Sequence, residues 1–379
     1  MQAYTMLPQV DESLRHILHH REAYVKDRQQ RHLQSRPFIV GVSGCQGSGK
    51  TTLCDTLEHL LTNEPHNLNV VSFSLDDLYL TRQDQAKLAA ANPDNKLLQQ
   101  RGQPGSHDLP LAKQTFKDLL DPACPSTDIP SYDKSCFGGL GDRRDRQYWK
   151  TVYAPYDIIL FEGWSQGFKP LPPAELKRMY SEATGSMALQ PLASLEQINW
   201  YLAQYESDLY SYFDIFIHLS PADPAQVYNW RLQQEHHMKA TRGVEGMSDE
   251  AVRAFVDTYM PAYELYLPRL DRVGFFGQGL RGETLKPYEG LKREDGGYSG
   301  PQRHLRIVLD QDRKVLRLQR MKETVLVDGP VRGNTNGGNA TAQFSTSRLL
   351  LNCAVIGLLS YFGFTRRRRI VDAVARLAR

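Results

Sequence analysis

Cysteine is scarce in this sequence and its spacing is irregular. The chain has five, Cys45, Cys54, Cys124, Cys136 and Cys353, with no C-x-x-C pair. That spacing argues against a disulfide framework or a zinc site and predicts reduced thiols inside a cell. A leader is lacking as well. Met1 to Val10 carries no apolar core of signal-peptide type, so the expected location is the cytoplasm. Long hydrophobic runs are nearly absent. Residues 349–364 are mostly apolar, but these 16 residues fall short of the roughly 20 that a spanning helix needs. They leave open only a tail contact with a membrane, next to the cluster Arg366-Arg367-Arg368-Arg369. A strong charge of one sign is also missing. The net charge is +3, and residues 322–379, with nine Lys/Arg against three Asp/Glu, carry +6 of it. The rest is mildly acidic at −3, which gives no nucleic-acid footprint. No internal repeat is seen.

What is present is a phosphate-binding motif in its proper setting. Gly44-Cys45-Gln46-Gly47-Ser48-Gly49-Lys50-Thr51 satisfies G-x-x-x-x-G-K-[ST], and Thr52 follows. The apolar residues 37–42 lead in as a buried parallel strand, and residues 51–61 lead out as a helix. The glycines let the backbone turn tightly and approach a phosphate. The freed N–H groups and the helix N-terminus make an anion site. Lys50 supplies a charge to the outer phosphates, and the Thr51 hydroxyl is a candidate magnesium ligand. The expected fold is therefore α/β: a P-loop NTPase with a parallel sheet flanked by helices, a helical lid and an inserted helical segment.

Further strands end in acids. Residues 68–75 form a second strand that runs into Asp76-Asp77, where open α/β sheets bind their ligands. Residues 156–161 form a third and end at Glu162, a second candidate for magnesium. Residues 214–219 make a fourth, and the helix after it carries Arg231. Residues 165–213 exceed one crossover helix. Residues 304–309 and 315–318 suggest a terminal hairpin. A polar helix over 9–34 bears His16, His19, His20 and His32, which are expected on a solvated face and not at a metal. The expected divisions are 1–35 for that helix, 36–321 for the kinase domain, 322–347 for a disordered linker and 348–379 for a basic and apolar tail.

A P-loop with an aspartate at the second strand suggests a small-molecule kinase. Asp76 would be the base, and Lys50, magnesium and Arg231 would neutralise the migrating phosphoryl group. The acceptor segments around Arg101, His107, Tyr132, Lys134, Arg143 and Arg144 are cationic and would suit an acid. A nucleoside acceptor would instead need aromatic stacking, for which Tyr79 and Tyr132 are available. An ATP-dependent switch without a metabolite acceptor is the reading from another class.

Residues 74–81, SLDDLYLT, resemble the second-strand motif of the phosphoribulokinase and uridine kinase group. Four further segments resemble D-glycerate 3-kinase of plants and its fungal relatives. They are RGQPGSHDL at 101–109, PSYDKS at 130–135, GLGDR at 139–143, and ILFEGW at 159–164 with GFKP at 167–170. The segment from Ser248-Asp249-Glu250 through Pro261-Ala262-Tyr263 is similar too, so the resemblance spans about residues 30 to 320. It implies ATP with magnesium, glycerate as a small acidic acceptor, Asp76 as the catalytic aspartate and Glu162 as the acidic third-strand residue. Nucleoside and pantothenate kinases remain the alternatives.

Overall fold

Three fully buried strands lie in the middle of the main sheet. The structure is a computed structural model that describes residues 6–242, 246–279, 285–287 and 298–326. In chain order, α1 (Pro8–Gln30), β1 (Phe38–Gly44), α2 (Lys50–Thr62), β2 (Val70–Ser74), α3 (Arg82–Ala91) and α4 (Leu109–Leu120) come first. Then follow the short strands β3 (Ser126–Ile129), β4 (Tyr132–Asp133), β5 (Asp142–Arg143) and β6 (Lys150–Tyr153), before β7 (Ile158–Gly163). Next are α5 (Pro173–Ser181), α6 (Leu192–Asp208), β8 (Ile215–Pro221), α7 (Gln226–Arg242), α8 (Asp249–Asp257) and α9 (Met260–Val273). Last come β9 (Leu285–Pro287), β10 (His304–Leu309), β11 (Val315–Met321) and β12 (Thr324–Leu326).

The main sheet has six strands in the order β11-β10-β8-β1-β7-β2. All its pairings are parallel except β10 with β11. Every residue of β1, β7 and β8 is buried, as strands covered on both faces require. Aromatic rings fill both layers. Phe161 packs at 4.7 Å from Phe73 and 5.1 Å from Phe116, while Phe216 stacks on Phe275 at 4.5 Å. β7 lies between β1 and β2 although it comes later in the chain. That crossover opens a crevice at the C-terminal ends of β1, β7 and β2.

The insertion expected at 165–213 contains α5 and α6, and the helices after β8 are α7, α8 and α9. Ser248 caps α8 by accepting from the Ala251 N–H at 3.1 Å. The hairpin expected at 304–318 forms, but it does not stand alone. β10 joins the main sheet beside β8, so this segment extends the core. Thr324–Leu326 pairs with β9 inside the stretch expected to be linker. Residues 328–379, including the apolar run and the arginine cluster, lie outside the described residues. Among the described residues, no helix is long and apolar enough to cross a membrane.

One expectation about α1 is corrected. His16 and His20 are not on a solvated face; they are 2% and 3% exposed. His16 Nε2 bonds the Arg303 carbonyl at 3.2 Å, and His20 Nδ1 lies 2.9 Å from the Tyr298 hydroxyl. The polar character of the helix hid this, because each imidazole meets its partner about 280 residues away in sequence. Burial depresses both imidazoles, His20 to about 4.

The sign of the consequence is definite. Between pH ~6.5 and 4 the unfolded chain protonates His20 and the folded chain does not, so stability falls as pH falls through that window. Thermal melts of the protein should therefore drop between pH 6.5 and 4, and His20→Gln should flatten part of the drop. An equally steep drop in the variant would remove His20 as a source of it.

Candidate active site

The phosphate cradle begins where β1 ends. The chain leaves Gly44, turns through residues 45–49 and enters α2 at Lys50. Gly47 has φ +75°, and a Cβ there would sit 2.7 Å from Trp230 Cβ, so only glycine fits. Gly49, in the left-handed region, precedes the first turn of α2. That turn leaves N–H groups without helical partners, and the helix dipole adds positive potential. Lys50 Nζ lies 3.5 Å from the Cys45 carbonyl oxygen, lying back over the loop. The Ser48 hydroxyl is buried and has no hydrogen-bond partner. A buried polar atom of that kind calls for a ligand or a water. The Cys45 thiol is raised to about 12 by burial, so it is inert packing. Thr52 is exposed, and its carbonyl accepts from the Thr56 hydroxyl.

Strand ends bring the acids to this loop. Val42 on β1 and Ser74 on β2 are both in register with Glu162 on β7. The Thr51 hydroxyl donates to Glu162 Oε1 at 3.1 Å, and Glu162 is 7% exposed. Two oxygen donors are thus held side by side at the edge of the cradle.

Asp76 and Asp77 sit in a tight helical turn after β2. Ser74 starts that turn by accepting from the Asp76 N–H at 3.1 Å, while Asp77 returns a bond to the Ser74 N–H. Asp77 also accepts from the Tyr132 N–H at 3.3 Å and so fixes β4 beside β2. Burial raises its carboxyl to about 6. Asp76 behaves differently. Burial pushes it up, but the Lys134 ammonium 2.5 Å from Oδ2, aided by His107 and Lys50, outweighs burial and holds it at about 2. Asp76 Oδ1 is buried with no partner.

The remaining predicted residues divide into a wall, a mouth and a brace. His107 stacks on Tyr79 at 4.5 Å and its Nδ1 lies 2.6 Å from the Tyr205 hydroxyl. Burial depresses this imidazole to about 4, and its Nε2 is free. Tyr79 is 2% exposed and covered by that histidine, so its ring is not available to a nucleoside base. At the mouth, the Arg101 guanidinium lies over the Tyr132 ring at 5.6 Å and donates to the Gly139 and Leu140 carbonyls. Arg143 is the brace: it donates to the Tyr79 carbonyl at 2.7 Å and to Asp108 Oδ2 at 2.8 Å. Arg144 pairs with Asp133 at 3.1 Å. Arg231 pairs with Glu235 one turn along α7 and lies over the Phe255 ring at 5.5 Å.

Three residues given no site role from the sequence, Tyr263 among them although it lies in a segment that carries the resemblance, hold the cradle from outside. Tyr263 on α9 bonds both the amide and the side chain of Gln46. Trp230 packs against Gly47 and donates its Nε1–H to the Gln311 carbonyl at 2.8 Å. Arg313, at the β10–β11 turn, donates to the Gly47 carbonyl at 2.6 Å, the Trp230 carbonyl at 3.3 Å and Gln233 Oε1 at 2.6 Å. Only the neighbourhood of Trp230 to Arg231 hinted at this. Arg313 is 266 residues from Gly47, and a polar turn gives no signal of such a contact.

Taken together, the site offers an anion cradle, a hydroxyl–carboxylate pair for a hard cation, a carboxylate base and a cationic mouth. No family model matches the chain. It is 43% identical over 239 residues to an uncharacterized kinase, mug58, of Schizosaccharomyces pombe, covering 62% of this chain and 83% of that one. It is 42% identical over 236 residues to the chloroplastic D-glycerate 3-kinase of Arabidopsis thaliana, covering 62% of this chain and 48% of that one. The chain thus spans about half the length of that plant enzyme. Among solved structures, the D-glycerate 3-kinase of Cryptococcus neoformans superposes with a TM-score of 0.68 at 34% identity, over 82% of this chain and 99% of that one.

The Arg313 brace makes a prediction. Arg313→Met removes charged hydrogen bonds from the cradle, so nucleoside triphosphate affinity should fall about tenfold while the fold is kept. Titration calorimetry against the native chain checks this; equal affinities would show that the cradle holds its shape unaided.

Proposed function

The chain belongs to the P-loop kinase family that includes the D-glycerate 3-kinases and is an ATP-dependent kinase, and from that premise we propose that it phosphorylates D-glycerate on the terminal hydroxyl to give 3-phosphoglycerate. The observation that carries this acceptor is the ion pair at the end of β2. Lys134 stands 2.5 Å from Asp76, at a mouth that Arg101 also lines. An acidic acceptor meets fixed cations there, next to a carboxylate able to take its hydroxyl proton. The covering of Tyr79 by His107 weighs against a nucleoside acceptor.

In this reading residues 44–52 hold the polyphosphate. Backbone N–H groups of the loop, the Ser48 hydroxyl and Lys50 bind its oxygens. Thr51 and Glu162 would hold magnesium, whose preference for a few oxygen ligands and several waters suits this pair. When bound, the ion neutralises phosphate charge. Arg101 and Lys134 clamp the acceptor carboxylate, with Tyr132 beside them. His107, neutral at pH 7, offers Nε2 to an acceptor hydroxyl. Arg143 acts through its brace on Tyr79 and Asp108 and keeps the β4–β5 hairpin against the site. Asp76 accepts the proton of the terminal hydroxyl as its oxygen attacks the γ-phosphorus. Arg231 exchanges Glu235 for the migrating phosphoryl group as the α7 lid closes. Free thiols at Cys45, Cys54, Cys124 and Cys136 support a reducing compartment, which we take to be the cytoplasm. The kinase domain extends to the β9–β12 pair, and the residues after it are dispensable for catalysis.

Asp76→Asn should leave ATP affinity nearly normal and lower turnover by a factor on the order of 10²–10⁴. Lys50→Ala should weaken both. Coupled ADP release, with D-glycerate, L-glycerate, uridine and pantothenate offered in parallel, tests the acceptor. Turnover of uridine or pantothenate without glycerate would overturn the acceptor and keep the kinase. A chain ending at Val327 should match the full chain in this assay; lost activity would make the tail part of the working domain.

A further inference from the structure

Asp76 has a problem as a base. Its Oδ2 is occupied by the Lys134 ammonium at 2.5 Å, and its other oxygen is buried without a partner. A carboxylate that shares a full positive charge attracts a hydroxyl proton weakly. Lys134 differs from Asp76 in how it is held. Its side chain is 57% exposed against 25% for Asp76. It follows β4 and leads into the turn containing Gly138, Gly139 and Gly141, each in the left-handed region. That turn is anchored at Gly139 and Leu140 by Arg101. Lys134 is therefore a more exposed cation on a long side chain, beside an acid held in the capped turn after β2.

We propose that the acceptor's own carboxylate activates the base, by drawing the Lys134 ammonium off Asp76 as it binds. The proposal rests on the acidic acceptor read above and adds that its charge acts in the chemical step as well as in binding. With Lys134 paired to the incoming carboxylate, Asp76 keeps its buried position and loses its counter-ion, and its proton affinity rises. The acceptor O–H bond then gives its proton to Asp76, and the oxygen's electron pair forms the bond to the γ-phosphorus. The bond from that phosphorus to the β,γ-bridging oxygen breaks, and ADP leaves with the pair. An acceptor with the same hydroxyl but no carboxylate leaves the ion pair intact and meets a weak base.

The other charged groups around Asp76 do not move with the acceptor. Lys50 on α2 and His107 before α4 lower its pKa, while Asp77, Tyr79 and Tyr259 are the acidic groups packed near it. Glu162 and Arg101 act on Lys134 with opposite signs. Lys134 is the strongest of the countercharges on Asp76, and it is the one on the glycine-bearing segment.

The test uses the full chain with ATP and magnesium, and D-glycerate or glycerol as acceptor. ADP release is measured from pH 4 to 9 for the native protein, Lys134→Met and Lys134→Arg, with ATP affinity at each pH as the control for folding, and a kcat/KM limb that falls below this range counts as separated from a kcat limb within it. In the native protein the acid limb of kcat should lie at least about one pH unit above that of kcat/KM, because only the bound state has lost the pair. Saturating D-glycerate should turn over about a hundredfold faster than glycerol. In Lys134→Met the kcat/KM limb should rise to meet the kcat limb, and the acceptor preference in kcat should fall to within about tenfold. Lys134→Arg should keep both the separation and the preference. Coincident limbs in the native protein, or a Lys134→Met change confined to KM, would overturn the exchange and leave glycerate as the acceptor. No turnover of D-glycerate by the native protein would overturn the acceptor, and the exchange would fall with it.

Discussion

A cradle of backbone N–H groups can hold a polyphosphate only if the backbone carrying those groups does not relax away from it. Among the described residues, the hydrogen bonds made inside the glycine loop are those the Cys45 carbonyl accepts, from the Ser48 N–H and the Lys50 ammonium. Further rigidity comes from three elements distant in sequence. Tyr263 of α9 fixes Gln46, Trp230 of α7 closes against Gly47, and Arg313 of the β10–β11 turn takes the Gly47 carbonyl. The main sheet carries the hairpin because β10 joins it beside β8. The same Trp230 stands next to Arg231 on α7. The shape of the phosphate cradle is thereby set by one cluster of long-range contacts.

The second half of the site is governed by charge. Two neighbouring carboxylates at the end of β2 are pushed in opposite directions. Asp77 spends its lone pairs on backbone N–H groups and is raised by burial, whereas Asp76 is lowered by a lysine. The first anchors β4 through the Tyr132 N–H, and the second is paired with Lys134. The wall behind them is Tyr79 stacked on His107, with Tyr205 edge-on to the histidine and bonded to its Nδ1. Arg101 and Lys134 are cations held near this wall, over the Tyr132 ring and on Asp76.

Much of the site was legible in the sequence because its parts are local. The P-loop works through the conformations of contiguous residues, so its glycines, Lys50 and Thr51 announce it directly. Asp76 and Glu162 were found from the apolar runs that end in them, since parallel strands present their ligands at their C-terminal ends. The parallel sheet followed from the same runs, although the place of the 304–318 hairpin in it did not.

What the sequence by itself determined was therefore the fold class, the phosphate site and the two acids, because periodicity and backbone propensity act over a few residues. The tertiary structure decided which charges are spent on holding the protein together. It gave Arg143 to Asp108, Arg144 to Asp133 and Arg313 to Gly47, and it left Lys134 on Asp76. It also buried His16 and His20 against Arg303 and Tyr298 and filled the face of Tyr79 with His107. An arginine or histidine looks the same in a sequence whether it braces a carbonyl or waits for a ligand. Its role depends on which group lies within about 3 Å, and that is set by long-range packing.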